Sequence, residues 1–203
     1  MKSEFADAHD SVTGSLAAPI SWQPEDHDVF RLAQLVLLLS VAAELEKPIA
    51  TVDRLGYYDF FSASPFVVLS GRTQSDADER LALKLAGFVE RQLSYASTGQ
   101  RWVSRRRRLQ HDLAQLMSYN LLTLQNGAFD LTPSGQTLAT QLSTIYADAY
   151  RVSARVIIRR LSRLSDRALL QAVQGWLGIS WLALDLLDDV TLEAAIVGGD
   201  LDA

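Results

Sequence analysis

Cysteine is absent from this chain of 203 residues. The protein therefore has no disulfide framework, no thiolate zinc site and no cysteine nucleophile. Histidine is scarce: His9, His27 and His111 are widely separated, and none stands at metal-ligand spacing from another. A chain without cysteine suits a reducing compartment, so we expect a cytoplasmic protein.

The sequence also lacks the motifs of nucleotide and metal chemistry. It contains no phosphate-binding loop with Gly-Lys-Ser/Thr, no Gly-x-Gly-x-x-Gly and no His-Glu-x-x-His. Asp185, Asp188 and Asp189 could bind a divalent ion, but a solvated acidic helix end is the better explanation. Asp53 and Asp59 fit capping and a hydrogen bond to a neighbouring tyrosine or arginine better than acid–base catalysis. We predict a protein that is not an enzyme and has no metal or cofactor.

No apolar run is long enough to cross a bilayer. The most apolar stretch, residues 32–45, is too short and is interrupted by Gln34, Ser40 and Glu44. Residues 1–14 are acidic and polar, and they lack the charged and apolar regions of a signal peptide. We expect a soluble protein with no membrane role.

What the chain does contain is a strong segregation of charge. The net charge is −5, but residues 101–167 carry 11 arginines against four aspartates. Residues 1–50 carry eight acidic groups against three basic ones, and residues 168–203 carry six acidic groups and no basic one. This segregation indicates an anionic partner for the central block, or pairing between unlike surfaces.

Turn residues and apolar periodicity divide the chain into three parts. We predict a flexible N-terminal tail over 1–25, a winged-helix-like domain over 26–132, and a long helix with a C-terminal helical extension over 133–203. Predicted helices within these parts cover about 26–46, 51–62, 75–95, 102–119 and 133–164, with a further helix from Asp166.

Apolar residues at helical spacing predict which face of two of these helices is buried. The third helix should bury Leu81, Leu85, Phe88, Val89 and Leu93. The last long helix should bury one continuous stripe, made of Leu138, Leu142, Ile145, Tyr146, Ala149, Val152, Val156 and Ile157.

A β-hairpin is the sharpest local prediction. Asn126-Gly127 is a preferred type I′ turn sequence, and it lies between two short runs with strand character, 121–125 and 128–131. Thr132 and Pro133 then supply the cap and the first position of a helix. Helix, hairpin, helix is the second half of a winged helix-turn-helix, although any αββα unit gives the same pattern. We expect a mainly α fold: a winged helix-turn-helix-like core with one β-hairpin wing and additional C-terminal helices.

Arginines are the main candidates for a binding site. Four are consecutive just before the hairpin, and they point in every direction around a helix, so they cannot all be buried. Three more follow one face of the last long helix, opposite its apolar stripe. Both sets could contact nucleic-acid phosphates, bind an acidic protein surface or form only a solvated face. The candidates are Arg101, Arg105, Arg106, Arg107, Arg108, Arg151, Arg155 and Arg159.

The aromatic run from Tyr57 to Phe61 is a second candidate. Such a run more often belongs to a core, but two members of a five-residue helical run should point outward. Exposed aromatic side chains favour a protein interface. The candidates for that interface are Tyr57, Tyr58 and Phe61.

The sequence resembles a known family over roughly residues 30–165. The resemblance rests on a leucine-rich first helix, the capped segment TVDRLGYYDFF with its exit SPF, and residues 100–142, QRWVSRRRRLQHDLAQLMSYNLLTLQNGAFDLTPSGQTLATQL. Together these segments are similar to the middle component of ABC-three-component defence systems, which include Lamassu-type systems. The acidic C-terminus from Asp185 has no counterpart in that resemblance.

The resemblance implies a function in assembly rather than catalysis. It implies a winged-helix-like adaptor that accompanies an SMC/Rad50-like ATPase and an effector subunit, often a nuclease, in anti-phage or anti-plasmid defence. Double-stranded DNA backbone is a further candidate ligand, and no catalytic residues carry over. The alternative is a free-standing winged-helix transcriptional regulator that binds DNA, because many regulators share the segment from Leu121 to Gly135.

Overall fold

The computed structural model describes residues 24–69, 71, 73–90 and 97–178, and the predictions for the N-terminal tail and for Asp185, Asp188 and Asp189 lie outside these residues. The described part is mainly helical, with one small antiparallel hairpin. None of its helices is long and apolar enough to span a membrane. The elements are α1 (Asp28–Glu44), α2 (Val52–Ala63), α3 (Gln74–Leu85), α4 (Thr98–Ser118), β1 (Leu122–Gln125), β2 (Ala128–Leu131), α5 (Pro133–Gln141), α6 (Ile145–Leu161) and α7 (Asp166–Leu177).

The hairpin forms as predicted. Leu124 pairs with Phe129 and Gln125 with Ala128, so the loop contains two residues. Asn126 and Gly127 have φ angles of 51° and 77°, the positive values that a type I′ turn requires at both positions. Thr132 accepts a hydrogen bond from the Gly135 amide at 3.1 Å and caps α5, with Pro133 in the first turn.

The hairpin is attached to the segment between α1 and α2. The amide of Phe129 donates to the carbonyl of Ile49 at 2.9 Å. This bond connects β2 to the segment that precedes the cap of α2 at Thr51. It joins the first and second halves of the described chain through the backbone.

α2 lies at the centre of the molecule. It packs against α1, α4 and α6, while Trp176 of α7 meets the ring of Phe61 edge-on at 5.3 Å. α1 and α6 run roughly parallel, since Phe30 contacts Tyr146 near their N-terminal ends and Glu44 reaches Arg155 further on. One hydrophobic cluster contains residues from α1, α2, α4, the hairpin, α6 and α7. The core therefore includes residues from both sides of the predicted boundary between residues 132 and 133.

The predicted long helix from residue 133 is wrong, because it is interrupted at 142–144. α5 ends at Gln141, and Thr144 caps α6 by accepting from the Ala147 amide at 3.0 Å. The new start resets which residues face inward. The predicted stripe is therefore largely misplaced: Ile157 is buried, whereas Ile145 is 90% exposed. The face of α6 that enters the core is made of Ala147, Tyr150, Ser153, Ala154, Ile157, Ile158 and Leu161.

The third helix also differs from its prediction. Thr73, not Ser75, caps α3, and the helix ends ten residues early at Leu85. Gly87 has φ 101°, and the amides of Gly87 and Phe88 donate to Lys84 and Leu83 carbonyls, the bonding pattern of a Schellman end. Leu83 is the apolar residue of α3 that is buried, and Leu85 is 79% exposed.

Candidate macromolecule-binding site

Arg105 is not a surface residue of α4 but one half of a buried ion pair. Its guanidinium binds both carboxylate oxygens of Asp59, with 2.7 Å between Nη2 and Oδ1. The Arg105 side chain is 10% exposed and that of Asp59 is 2% exposed. A carboxylate buried in α2 requires a cation, so the folded chain directs this arginine inward. Arg105 is therefore engaged within the chain, and the prediction that it contacts a partner is wrong.

The same ion pair organises a buried polar network. Gln34 accepts from Arg105 and donates to the Tyr146 hydroxyl, and the Tyr150 hydroxyl donates to Asp59 at 3.3 Å. Although the Tyr146 residue is 40% exposed, burial around its hydroxyl raises the pKa of Tyr146 to about 12. Burial raises the pKa of Tyr150, which is inaccessible, well above its usual value. Burial lowers the pKa of Arg105, but the charge of Asp59 and the hydrogen bonds to it outweigh that effect and raise it. The expected hydrogen bond between Asp59 and a neighbouring tyrosine or arginine is confirmed, with Asp59 accepting from both Arg105 and Tyr150.

A second buried pair, which the sequence interpretation missed, joins α1 to α4. Arg31 binds Asp112 through two bonds of 2.7 and 2.8 Å, and both side chains are nearly inaccessible. Its hydrogen bonds to Asp112 raise the pKa of Arg31. The position of Asp112 could have revealed this pair in the sequence. Asp112 lies between Leu109 and Leu116 on the apolar face of α4, where a carboxylate needs a partner.

The remaining arginines of α4 lie closer to solvent. Arg108 binds Asp26 at 3.0 Å, Arg106 lies 3.5 Å from Asp53, and Arg101 donates to the Ser64 hydroxyl at 2.9 Å. Arg107 is exposed. Arg105, Arg106 and Arg108 are thus paired with carboxylates that lie between residues 26 and 59.

The predicted arginines of α6 also differ in whether they are engaged within the chain. Arg151 donates to the carbonyls of Ala139 and Leu142 at 2.6 and 2.9 Å, and so satisfies oxygens at the open end of α5. Arg155 binds Glu44 at 2.8 Å. Arg159 is exposed and has no side-chain partner among the residues described.

The predicted aromatic interface is wrong. Tyr57, Tyr58 and Phe61 are all buried, because neighbouring helices cover α2 on every side that carries these rings. Tyr57 stacks on Trp102 with 5.1 Å between ring centres, and Tyr58 accepts a hydrogen bond from Arg54 at 2.9 Å. These side chains form the core and are not available to a partner protein.

Large apolar side chains are exposed elsewhere. They fall mainly on three segments: the N-terminal ends of α1 and α6, the region of α3, and the end of α4 with β1. Leu124 on β1 is 57% exposed. The members of these segments are Val29, Ile145 and Tyr146; Leu81, Leu85 and Val89; and Met117, Tyr119 and Leu124.

Comparison with known proteins gives no assignment. No known protein family matches the chain, and no curated protein or solved structure matches it at a significant level. In the part of the chain that the structure describes, no group of histidine, aspartate and glutamate side chains could hold a metal ion.

Proposed function

We propose that this protein is a non-catalytic, winged-helix adaptor subunit. It bridges an SMC/Rad50-like ATPase and an effector of nuclease type in an anti-phage or anti-plasmid defence complex. The observation that carries this proposal is how the surface is used: most arginines of the basic block are engaged within the chain, whereas large apolar side chains remain exposed. Exposed apolar patches favour protein partners.

The order and contacts of the elements support a winged-helix unit. α4 directly precedes the hairpin, and β2 adjoins Ile49 between α1 and α2. A helix followed by a two-stranded wing, with a hydrogen bond from the wing to the segment between the first two helices, fits that unit. The resemblance of residues 30–165 to the defence-system component agrees with it.

Co-purification tests the adaptor. The full chain, affinity-purified from its native host, should bring down a coiled-coil ATPase with Walker motifs, and Leu124→Asp should abolish that association. Gln125→Asp is the matched control, because it adds the same charge one residue along β1, on the opposite face of the hairpin. If neither variant reduces the association, the wing is not the contact; if no such ATPase is recovered, the adaptor proposal fails.

A free-standing DNA-binding regulator is the second candidate. One observation favours it: the exposed residues of α4 are mainly polar or basic and include no carboxylate, since Asp112 is buried. A recognition helix needs such a face. Selection from random duplexes should then yield a site bound at least about a thousandfold more tightly than random DNA. The exposed residues of α4 are Gln100, Ser104, Arg107, Gln110, His111, Ala114, Met117 and Ser118.

A further inference from the structure

The outer edge of β1 carries open main-chain groups. Because the hairpin loop contains two residues, Gln125 and Thr123 are the residues of β1 whose main chain bonds to β2. The N–H and C=O groups of Leu122 and Leu124 therefore point away from β2. Within the part of the chain that the structure describes, no hydrogen bond engages these main-chain groups of the two leucines.

The two edges of the hairpin differ. On the β2 side, the Phe129 amide donates to the carbonyl of Ile49 at 2.9 Å, so that edge is partly covered. β1 has none of the features that discourage strand pairing at an edge, since its sequence LTLQ contains no charge and no proline and its register has no bulge. Leu124 is also 57% exposed. A neutral, open edge of this kind is a template for a further strand.

A second copy of β1 fits this edge in one register. When two copies run antiparallel with Thr123 opposite Thr123, Leu122 of each copy lies opposite Leu124 of the other. Each of these two leucine pairs exchanges two hydrogen bonds, which uses every open group of both edges. Because β1 is neutral, no like charges meet, and the central threonine pair is favourable.

We propose that two copies of this protein pair through β1, so that their hairpins form one antiparallel sheet across a twofold axis. Stable complexes bury roughly 1,200 Å² or more, and a four-residue edge contributes only part of that area, so the dimer is reversible. The proposal goes beyond the adaptor function and needs none of its partners. Its tests use the isolated full chain, so it can fail independently of the co-purification.

Cysteine cross-linking tests the register, because the chain has no cysteine of its own. In the proposed sheet the two Thr123 residues form a non-hydrogen-bonded pair with about 4.5 Å between Cα atoms, within the range of a disulfide. Gln125→Cys is the matched control, since Gln125 is more exposed but lies four residues out of register with its copy. Under mild oxidation, Thr123→Cys should form disulfide dimers at least about tenfold faster than Gln125→Cys. Equal rates, or faster cross-linking of Gln125→Cys, overturn the proposal.

A proline tests the main-chain bonds. Leu124→Pro removes the outward N–H but no bond of the hairpin, and proline is tolerated on an edge strand at such a position. Leu124→Val keeps the N–H and is the control. Sedimentation from about 10 μM to about 1 mM, the range of weak affinities, should show dimers of the wild type and Leu124→Val and only monomers of Leu124→Pro. Circular dichroism melts check that both variants fold. A wild type that stays monomeric, or a proline variant that dimerises equally, overturns the proposal.

Amide hydrogen exchange identifies any other occupant of the edge. In the dimer, the amides of Leu122 and Leu124 should become protected as the protein concentration rises. If they are protected at every concentration in a monomer, another segment of the same chain covers β1. If they exchange freely at every concentration, the edge is left open for a different protein. Either result overturns the pairing of two copies.

Discussion

At the scale of single residues, the ion pair of Asp59 and Arg105 places both charges where water hardly reaches. Neither charge could remain there alone, because the cost of burying an isolated ion is several kcal/mol. The pair is therefore a condition of the packing between α2 and α4. The sequence predicted a tyrosine or arginine partner for Asp59 but could not say which of the arginines it would be.

Asp59→Asn should destabilise the protein by about 3–5 kcal/mol, since it leaves Arg105 buried beside a neutral amide. Asp53→Asn, the same change in the exposed pair with Arg106, should cost about 1 kcal/mol or less. Urea unfolding followed by circular dichroism measures both free energies. Similar losses for the two variants would contradict the buried role of Asp59.

Glu46 offers a stabilising change. It has φ 54° at the end of α1, a left-handed conformation that costs a non-glycine residue roughly 1–2 kcal/mol. Replacing Glu46 with glycine should remove this cost, but glycine is more flexible in the unfolded chain, and this offsets part of the gain in stability. Glu46→Gly should therefore raise the free energy of unfolding by about 0.5–1 kcal/mol. Asn120→Gly, at the equivalent place after α4, should raise it less, because asparagine tolerates the conformation.

At the scale of elements, the parts that local chemistry determines were predictable. The Asn126-Gly127 turn and the caps Thr51 and Thr132 need only their neighbours in sequence, and all three are present. The breaks in longer helices were not predictable in the same way. From the sequence alone, Ser143 and Thr144 could lie inside a helix or cap the start of one. The hydrogen bond from Arg151 to the carbonyl of Leu142 favours the break, and it is visible only in the fold.

Leu113 and Leu142 show how such a break changes an expected energy. Leu113 is buried on α4, so Leu113→Ala should cost about 2–5 kcal/mol. The sequence predicts the same for Leu142, but it lies at the end of α5 and is partly buried, so its loss should be smaller. Denaturant melts compare the two. A loss below about 1 kcal/mol for Leu113→Ala would contradict a core position for this side chain.

The attachment of α3 should respond to acid. A hydrogen bond from Thr73, together with Arg160, lowers the pKa of Asp76 from 3.8 to about 2. A lowered pKa stabilises the fold fully above pH 4, and this contribution is lost as the pH falls from about 4 toward 2. Between pH 4.5 and 2.5 the wild type should therefore lose more stability in urea than Asp76→Asn. Parallel losses would show that Asp76 does not contribute this dependence.

At the scale of the whole molecule, folding pairs many of the concentrated arginines with carboxylates from distant parts of the described chain. Arg105 meets Asp59, Arg108 meets Asp26 and Arg155 meets Glu44, each across a long interval of sequence. Composition showed that the arginines were concentrated, but their pairing depends on which helices pack together. The candidate set could be predicted for that reason, whereas the distinction between engaged and free arginines required the fold.

That compensation limits what the isolated protein can do with DNA. With most of its arginines engaged and a net charge of −5, the chain offers few cations to phosphate and repels the duplex overall. We expect it to bind a random duplex no more tightly than about 1 μM at physiological salt, which lies near the non-specific range. Fluorescence anisotropy with labelled duplex measures this. A nanomolar, sequence-selective site would instead mean that the exposed face of α4 reads bases, and it would favour the regulator over the adaptor.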